Sequence, residues 1–179
     1  RQRQMCIRDR TEIVALDKTG TITQGEPRVT DVLPAEGMTQ GALLSLAAAL
    51  EQRSEHPLSR AVMMRAEEDG LTAVPVGDFR ALPGNGLTAT LSGETLLGGS
   101  LSFVSSQVDV PRSIRQKAEA LAEEGKTPLL FAQAGHLAGV IAVADVIKAD
   151  SPAAIAALRN MGIRVVMLTG DNEKTARAI

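Results

Sequence analysis

Asp17-Lys18-Thr19-Gly20-Thr21 follows directly on the apolar run Ile13-Val14-Ala15-Leu16. In open α/β sheets, ligands bind outside the carboxyl ends of the strands. A carboxylate placed there can attack a phosphoryl group and form an aspartyl-phosphate, while a glycine lets backbone N–H groups bend toward the phosphate oxygens. Thr19, two places after the candidate nucleophile, adds a second constraint. A hydrolase working through this intermediate gains from an acid or base there, which protonates the leaving group and then activates water. Threonine does neither at neutral pH. The expected phosphoenzyme therefore forms but decays slowly unless another part of the protein brings in a base, which suits a conformational cycle better than a simple phosphatase. Thr169-Gly170-Asp171-Asn172 repeats the pattern after the apolar run from Ile163 to Leu168: a strand end, a hydroxyl, a glycine, then a helix N-terminus that favours anions.

Two further groups of residues have the chemistry of a nucleotide site. In Ser54-Glu55-His56-Pro57 the proline stiffens a bend between two helices and fixes where His56 points. An imidazole there can stack on a purine and hydrogen-bond its edge; taken alone, it is more often a histidine at a helix start with no ligand. In Gly84-Asn85-Gly86 two glycines permit positive φ and leave space where side chains would block a ligand, although in isolation this is only a turn. His136, at a hairpin with no acidic or histidine neighbour in sequence, reads as a surface residue.

In this order and spacing, Asp17 to Thr21 resembles the phosphorylation motif of P-type ATPases, which stand on the haloacid-dehalogenase-like fold. Ser54 to Pro57 resembles the nucleotide-domain signature of their heavy-metal (type IB) branch, and the paired glycines stand where that family's glycine motif follows it. The resemblance implies a catalytic group of Asp17 (the phosphorylated nucleophile), Lys18, Thr19 and Thr169, with Mg²⁺ held by Asp17 and the main-chain carbonyl of Thr19. Glu55, His56, Gly84 and Gly86 would line the adenine pocket, and Gly170 and Asp171 would serve the nucleotide, Asp171 also supporting the Mg²⁺ and phosphate site. Asn85 receives no role. Asp145-Val146-Ile147-Lys148 resembles the hinge by which the chain returns to the phosphorylation domain; it also reads as a polar strand end leading to a Ser151 helix cap.

ATP and Mg²⁺ are thus the implied cofactors. The implied parent lies in a membrane, expected to be a bacterial plasma membrane, with this portion facing the cytoplasm and itself soluble. It would pump a heavy-metal ion, and Gly125-Lys126-Thr127-Pro128 with the run from Ile141 to Asp150 resembles bacterial copper exporters. The ligands that choose the ion would lie in membrane helices, where soft thiolates select Cu⁺; zinc, cadmium and lead stay open. The sequence carries no later Gly-Asp-Gly-x-Asn-Asp motif, no Thr-Gly-Glu actuator and no Cys-Pro-Cys. The actuator and transmembrane domains of the parent are therefore expected partners, and the fragment by itself is not expected to turn over ATP. A soluble haloacid-dehalogenase-like phosphatase and a non-catalytic nucleotide-binding module are the competing readings.

The elements that must position these groups follow from the patterning. Residues 12–16 read as a short buried strand, and Pro27 with Pro34-Ala35-Glu36-Gly37 as a loop. Thr39 to Arg53 reads as a helix with Leu43, Leu46, Ala47 and Leu50 on one face, and a second helix runs from Pro57 to Gly70. From Val76 the period shortens to strands at 79–82, 87–91 and 94–97, then a helix from Pro111 to Glu124 and a strand pair at 129–132 and 137–144. Ser151-Pro152 starts a helix ending near Met161, and residues 163–168 read as a strand buried on both faces. The expected class is α/β: an incomplete Rossmann-type phosphorylation domain (11–29 and 145–179) carrying an inserted α+β nucleotide-binding domain (30–144).

Composition bounds the rest. The 179 residues carry a net charge of −2 and no long basic run, so nothing favours nucleic acid. No stretch approaches the roughly twenty apolar residues of a membrane span. Aromatic residues are only 2%, so the core must be aliphatic. Cys6, the sole cysteine, makes no disulfide within the chain. Residues 1–10 show no structural period, and the stretch from Gln4 to Arg10 back-translates to a string resembling a sequencing-library adapter, so residues 1–10 are expected to be a cloning or assembly scar. The pattern also breaks off inside a helix at Ile179, so both ends are expected to be cut.

Overall fold

The computed structural model describes residues 11–168 apart from residue 83. The expectations for residues 1–10, for Thr169, Gly170 and Asp171 and for the helix from Asn172 lie outside the described residues. In chain order the elements are β1 (Ile13–Asp17), β2 (Thr23–Pro34), α1 (Gln40–Glu51), α2 (Pro57–Glu68), β3 (Gly77–Leu82), β4 (Gly86–Leu91) and β5 (Glu94–Gly99). Then come α3 (Leu101–Ser105), α4 (Arg112–Glu123), β6 (Thr127–Gln133), β7 (His136–Ile147), α5 (Ser151–Asn160) and β8 (Arg164–Leu168). Contacts divide the described chain into two compact units, one formed by residues 11–26 and 145–168, the other by Pro27–Ala144.

In the first unit β1 and β8 pair in parallel, with Ile13 opposite Arg164 and Asp17 opposite Leu168. The expectation that both strands are buried fails. Their residues alternate between exposed and half-buried, and Ile13 and Leu168 are 56% and 55% exposed. The reason is coverage: this sheet has two strands among the described residues, and α5 packs on β8. Pro152 sits in the first turn of α5, where its missing N–H costs nothing, and Gly162 takes φ +77 just past its end. Ser151 is not the cap. Asp150 holds that position, and the Ser151 hydroxyl instead donates to the Ile22 carbonyl at 2.8 Å.

The second unit is built on a six-stranded sheet of order β2-β7-β6-β5-β4-β3, in which β3 to β7 pair antiparallel with their sequence neighbours. Ser92-Gly93 and Ala134-Gly135 turn the tight hairpins, each with positive φ at both residues, the twist that two-residue hairpins require. Residues 27–34, expected as loop, are strand. Pro27 is tolerated because β2 lies at the edge of the sheet, where a missing N–H breaks no interior ladder.

Side-chain alternation builds a core on each face of this sheet. Phe131, Ile141 and Val143 join the layer of α1 and α2, whose inner residues Leu43, Leu50, Ala61 and Val62 are at most 2% exposed. Leu130, Ala132, Val140 and Ala142 face the layer of α3 and α4, with Val104 and Ala118 fully buried. The short helix α3 is absent from the sequence reading; a Ser100 hydroxyl accepting the Phe103 N–H at 3.2 Å starts it. Lys126 lies 2.9 Å from both Asp31 and Glu124. Burial lifts the Asp31 carboxyl, but hydrogen bonds from Lys126 and Thr30 outweigh it and leave its pKa below the ordinary value.

Candidate functional site

Asp17 ends β1, and its carboxylate stands exposed at the carboxyl end of the strand, next to the end of β8. Thr19 at φ −73, ψ 121 and Gly20 at φ 76, ψ −12 have the central geometry of a type II turn over Lys18–Thr21. The positive φ is what requires glycine at position 20. The turn closes when the Thr23 N–H donates to the Lys18 carbonyl, while the Thr23 hydroxyl, 3.0 Å from the same carbonyl, gives its one proton to the Asp145 carboxylate.

Residues 145–151 hold this loop from the other side. The Asp145 carboxylate accepts from the Gly25 N–H at 3.0 Å and lies 2.5 Å from the Thr23 hydroxyl. The Lys148 ammonium donates to the Gly20 carbonyl at 2.6 Å, and the Lys148 N–H to the Ile22 carbonyl at 3.0 Å. The segment expected as a hinge thus braces the turn that follows Asp17. Of the remaining candidates for this site, Leu168, which precedes Thr169, is the register partner of Asp17, while Thr169, Gly170 and Asp171 lie outside the described residues. Among the described residues no group of three or more His, Cys, Asp or Glu side chains could cage a metal. The exposed Asp17 carboxylate is a hard oxygen donor of the kind that fits Mg²⁺, which keeps most of its waters and is completed by substrate phosphates.

The second unit contains a cavity of about 400 Å³, within the size range of small-molecule sites. Its polar rim comes from the α1 end and the α1–α2 connection: Glu51, Ser54, His56 and Ser59. Gly84, Asn85 and Gly86 and Gly98, Gly99 and Ser100 also line it, with Leu58, Leu82, Leu87 and Leu129 supplying apolar surface.

His56 caps α2. Its Nδ1 accepts the Leu58 N–H at 3.2 Å, so in the neutral ring the proton resides on Nε2, which is left as a donor. Gly84 takes φ +76, and a Cβ there would meet nothing within 4 Å. Gly86 has no such φ. A Cβ on it would fall 2.1 Å from the Gly98 carbonyl oxygen, and one on its register partner Gly99 would fall 2.4 Å from the Asn85 oxygen. The two glycines of the motif therefore differ in kind: one turns the chain, the other lets β4 and β5 approach. Asn85 lines the cavity with its backbone pinned, its N–H donating to Leu82 at 2.9 Å and its carbonyl accepting from Ser100 at 3.2 Å.

The structure thus gathers His56, Gly84 and Gly86 around one cavity, whereas Glu55 is exposed and does not line it. Asp17, Lys18 and Thr19 belong to the other unit. Sequence reasoning missed Glu51, which is 5% exposed and lines the cavity. Burial pushes the Glu51 carboxyl up from its ordinary pKa, and a hydrogen bond from Ser59 offsets part of that rise. A carboxylate on the otherwise apolar inner stripe of α1 was the available signal. Gly98-Gly99, ending β5 opposite Gly86, was another.

Comparison with known proteins agrees with this architecture. The model of the haloacid dehalogenase-like hydrolases matches residues 11–179, and the chain belongs to that family of mixed α/β proteins. Within it, the likeness is to P-type ATPases. The chain is 44% identical over 169 residues to Copper-transporting ATPase 1 of Rhizobium meliloti, covering 94% of this chain and 20% of that protein. To the Silver exporting P-type ATPase of Salmonella typhimurium it is 38% identical over 172 residues, covering 96% of this chain and 21% of the relative. The chain thus spans about a fifth of the length of these curated relatives. Among solved structures, a zinc-transporting PIB-type ATPase in the E2.Pi state superposes with a TM-score of 0.82 at 37% identity, over 95% of this chain and 27% of that one. The N-domain of a copper-transporting P-type ATPase gives 0.57 at 28% identity, over 65% of this chain and 99% of its own. Among the described residues no helix is long and apolar enough to cross a membrane.

Proposed function

We propose that this chain is the ATP-binding and phosphoryl-accepting portion of a membrane P-type ATPase that moves a heavy-metal cation, most simply Cu⁺. The observation that carries the reading is the cavity of about 400 Å³ lined by paired glycines and rimmed by His56 and Glu51, in a chain whose other unit presents an exposed aspartate at a strand end. ATP occupies the cavity, with its base between the His56 ring and the close-packed backbone of β4 and β5. An Asp17 carboxylate oxygen attacks the γ-phosphorus, the bond from that phosphorus to the β–γ bridging oxygen breaks, and ADP leaves. Mg²⁺ would be held by Asp17 and the Thr19 carbonyl, where it supplies charge neutralisation for the phosphates. The brace formed by Asp145 and Lys148 keeps the loop shaped for that approach. Hydrolysis of the resulting acyl phosphate needs a base that Thr19 cannot provide, which favours a persistent phosphoenzyme over a soluble phosphatase.

The cargo reading rests on the names of the relatives, which transport copper, silver or zinc. A chimera that carries residues 11–179 in place of the matching segment of the Rhizobium meliloti relative tests both levels. Expected are hydroxylamine-sensitive labelling from γ-labelled ATP, its loss in Asp17→Asn, and copper resistance in cells expressing the chimera. Labelling that survives Asp17→Asn moves the nucleophile elsewhere. ATP binding with no label in any version returns the chain to a non-catalytic nucleotide-binding module.

A further inference from the structure

Asn85 stands between the two motif glycines and lines the cavity, yet no step above uses it. Its main chain is committed within the fold: the N–H donates to the Leu82 carbonyl at 2.9 Å, and the carbonyl accepts the Ser100 N–H at 3.2 Å. Its φ is not positive, so the backbone does not call for asparagine there. Among the described residues its carboxamide makes no hydrogen bond. The serines that line the same cavity are engaged. The Ser54 and Ser59 oxygens lie 2.7 Å apart, and Ser100 Oγ accepts the Phe103 N–H at 3.2 Å. Asn85 therefore holds a neutral donor and acceptor that the fold itself does not consume.

Burial orders the cavity from inside to mouth. Ser59, Gly98 and Gly99 are buried, whereas His56 and Asn85 are exposed. None of the residues lining it is Lys or Arg, so nothing there offsets the charge of a triphosphate, whose place is outside the mouth. A nucleotide with its base inward then carries its sugar past Asn85. A carboxamide presents an acceptor oxygen and two N–H donors in one plane, and each hydroxyl of a vicinal pair both donates and accepts. We propose that Asn85 is the sugar-reading residue of this site: its carboxamide bonds the hydroxyls of the ribose, so that the cavity takes a ribonucleotide in preference to one whose sugar lacks them. The proposal rests on the nucleotide reading of the cavity. It also gives the middle residue of the glycine motif a task distinct from those of its neighbours, since Gly84 turns the chain and Gly86 admits β5.

The test is equilibrium titration of the full chain with ATP and with 2′,3′-dideoxy-ATP, which keeps the base and the phosphates and lacks both sugar hydroxyls. The wild-type chain is expected to bind the ribonucleotide about fivefold more tightly, the usual range for a neutral hydrogen bond. Asn85→Ala is expected to weaken ATP by that factor and leave the dideoxy nucleotide where it was, so that the two affinities converge. This crossing of a side-chain change with a ligand change isolates the pairwise contact. The melting temperature of Asn85→Ala is expected to equal that of wild type, because the carboxamide has no bond within the chain to lose. Asn85→Asp keeps the shape and still accepts from a hydroxyl, and is expected to retain a preference for the ribonucleotide. Equal affinities in the wild-type chain, a preference that survives Asn85→Ala, or an equal loss of both nucleotides in Asn85→Ala overturns the proposal while leaving the nucleotide reading in place. If the wild-type chain binds neither nucleotide, the nucleotide reading of the cavity fails and this assignment falls with it.

Discussion

Replacing Gly86 by alanine asks whether the paired glycines serve the scaffold or the ligand. The new Cβ falls 2.1 Å from the Gly98 carbonyl oxygen and 2.9 Å from both Gly99 Cα and Phe103 Cδ1. An unstrained carbon contact needs about 3.5 Å, and two of the three obstacles are backbone of β5, paired with β4 at this point. The strands must therefore part locally by roughly 1 Å, since a backbone carbonyl cannot swing aside as a side chain can. Overpacking of this kind costs about 1–3 kcal/mol, and a backbone obstacle puts Gly86→Ala at about 3 kcal/mol, the upper end. Gly84→Ala is the control: its Cβ meets nothing within 4 Å, and only the φ of +76 is strained, at about 1–2 kcal/mol. With about 4 °C of melting temperature per kcal/mol for a domain of this size, the expected drops are about 12 °C for Gly86→Ala and about 6 °C for Gly84→Ala. Thermal melts followed by far-ultraviolet circular dichroism measure both, and amide exchange in β4 and β5 assigns the transition to this unit. A Gly86→Ala melt equal to that of wild type, or a larger loss in Gly84→Ala, refutes the reasoning.

Three further outcomes are expected. His56→Asn keeps the α2 cap, because asparagine is as good at that position as any residue, but removes the ring; the melting temperature should hold while ATP binds roughly tenfold more weakly, as for one lost base stack, and an unchanged titration removes His56 from the base. Glu51 has its pKa raised by burial above the ordinary 4.5, so the folded state binds more protons than the unfolded one and the charged carboxylate costs stability as pH rises through its folded value. Glu51→Gln should therefore melt higher than wild type at pH 7, with the difference closing below pH 4.5; a gain that persists in acid points to packing instead. Lys148→Met removes the 2.6 Å bond to the Gly20 carbonyl, worth about 1 kcal/mol, and the Thr23 amide, which bonds the Lys18 carbonyl, should exchange about fivefold faster; unaltered exchange means the brace contributes nothing.

The sequence by itself determined the elements whose cause is local. Leu43, Leu46, Ala47 and Leu50 mark one face of α1 by spacing alone, Pro57 and Gly70 bracket α2 by their own backbone limits, and Ser92-Gly93 dictates a hairpin. The order of the chemical motifs likewise pointed to the family, because each motif is a short run whose residues act together. Only the tertiary structure decided what depends on residues far apart in the chain. Residues 27–34 became strand because β7, more than a hundred positions later, offers a ladder to an edge that tolerates proline. The exposure of β1 and β8 follows from how few of the described residues cover that sheet, which no apolar run can announce. Gly86 owes its identity to Gly98 and Gly99 across the ladder. Glu51, in an apolar helix, meets Ser59 and the cavity only in the folded chain. Backbone preference is written in a few adjacent residues, whereas burial and shape are properties of whatever the folded chain brings alongside.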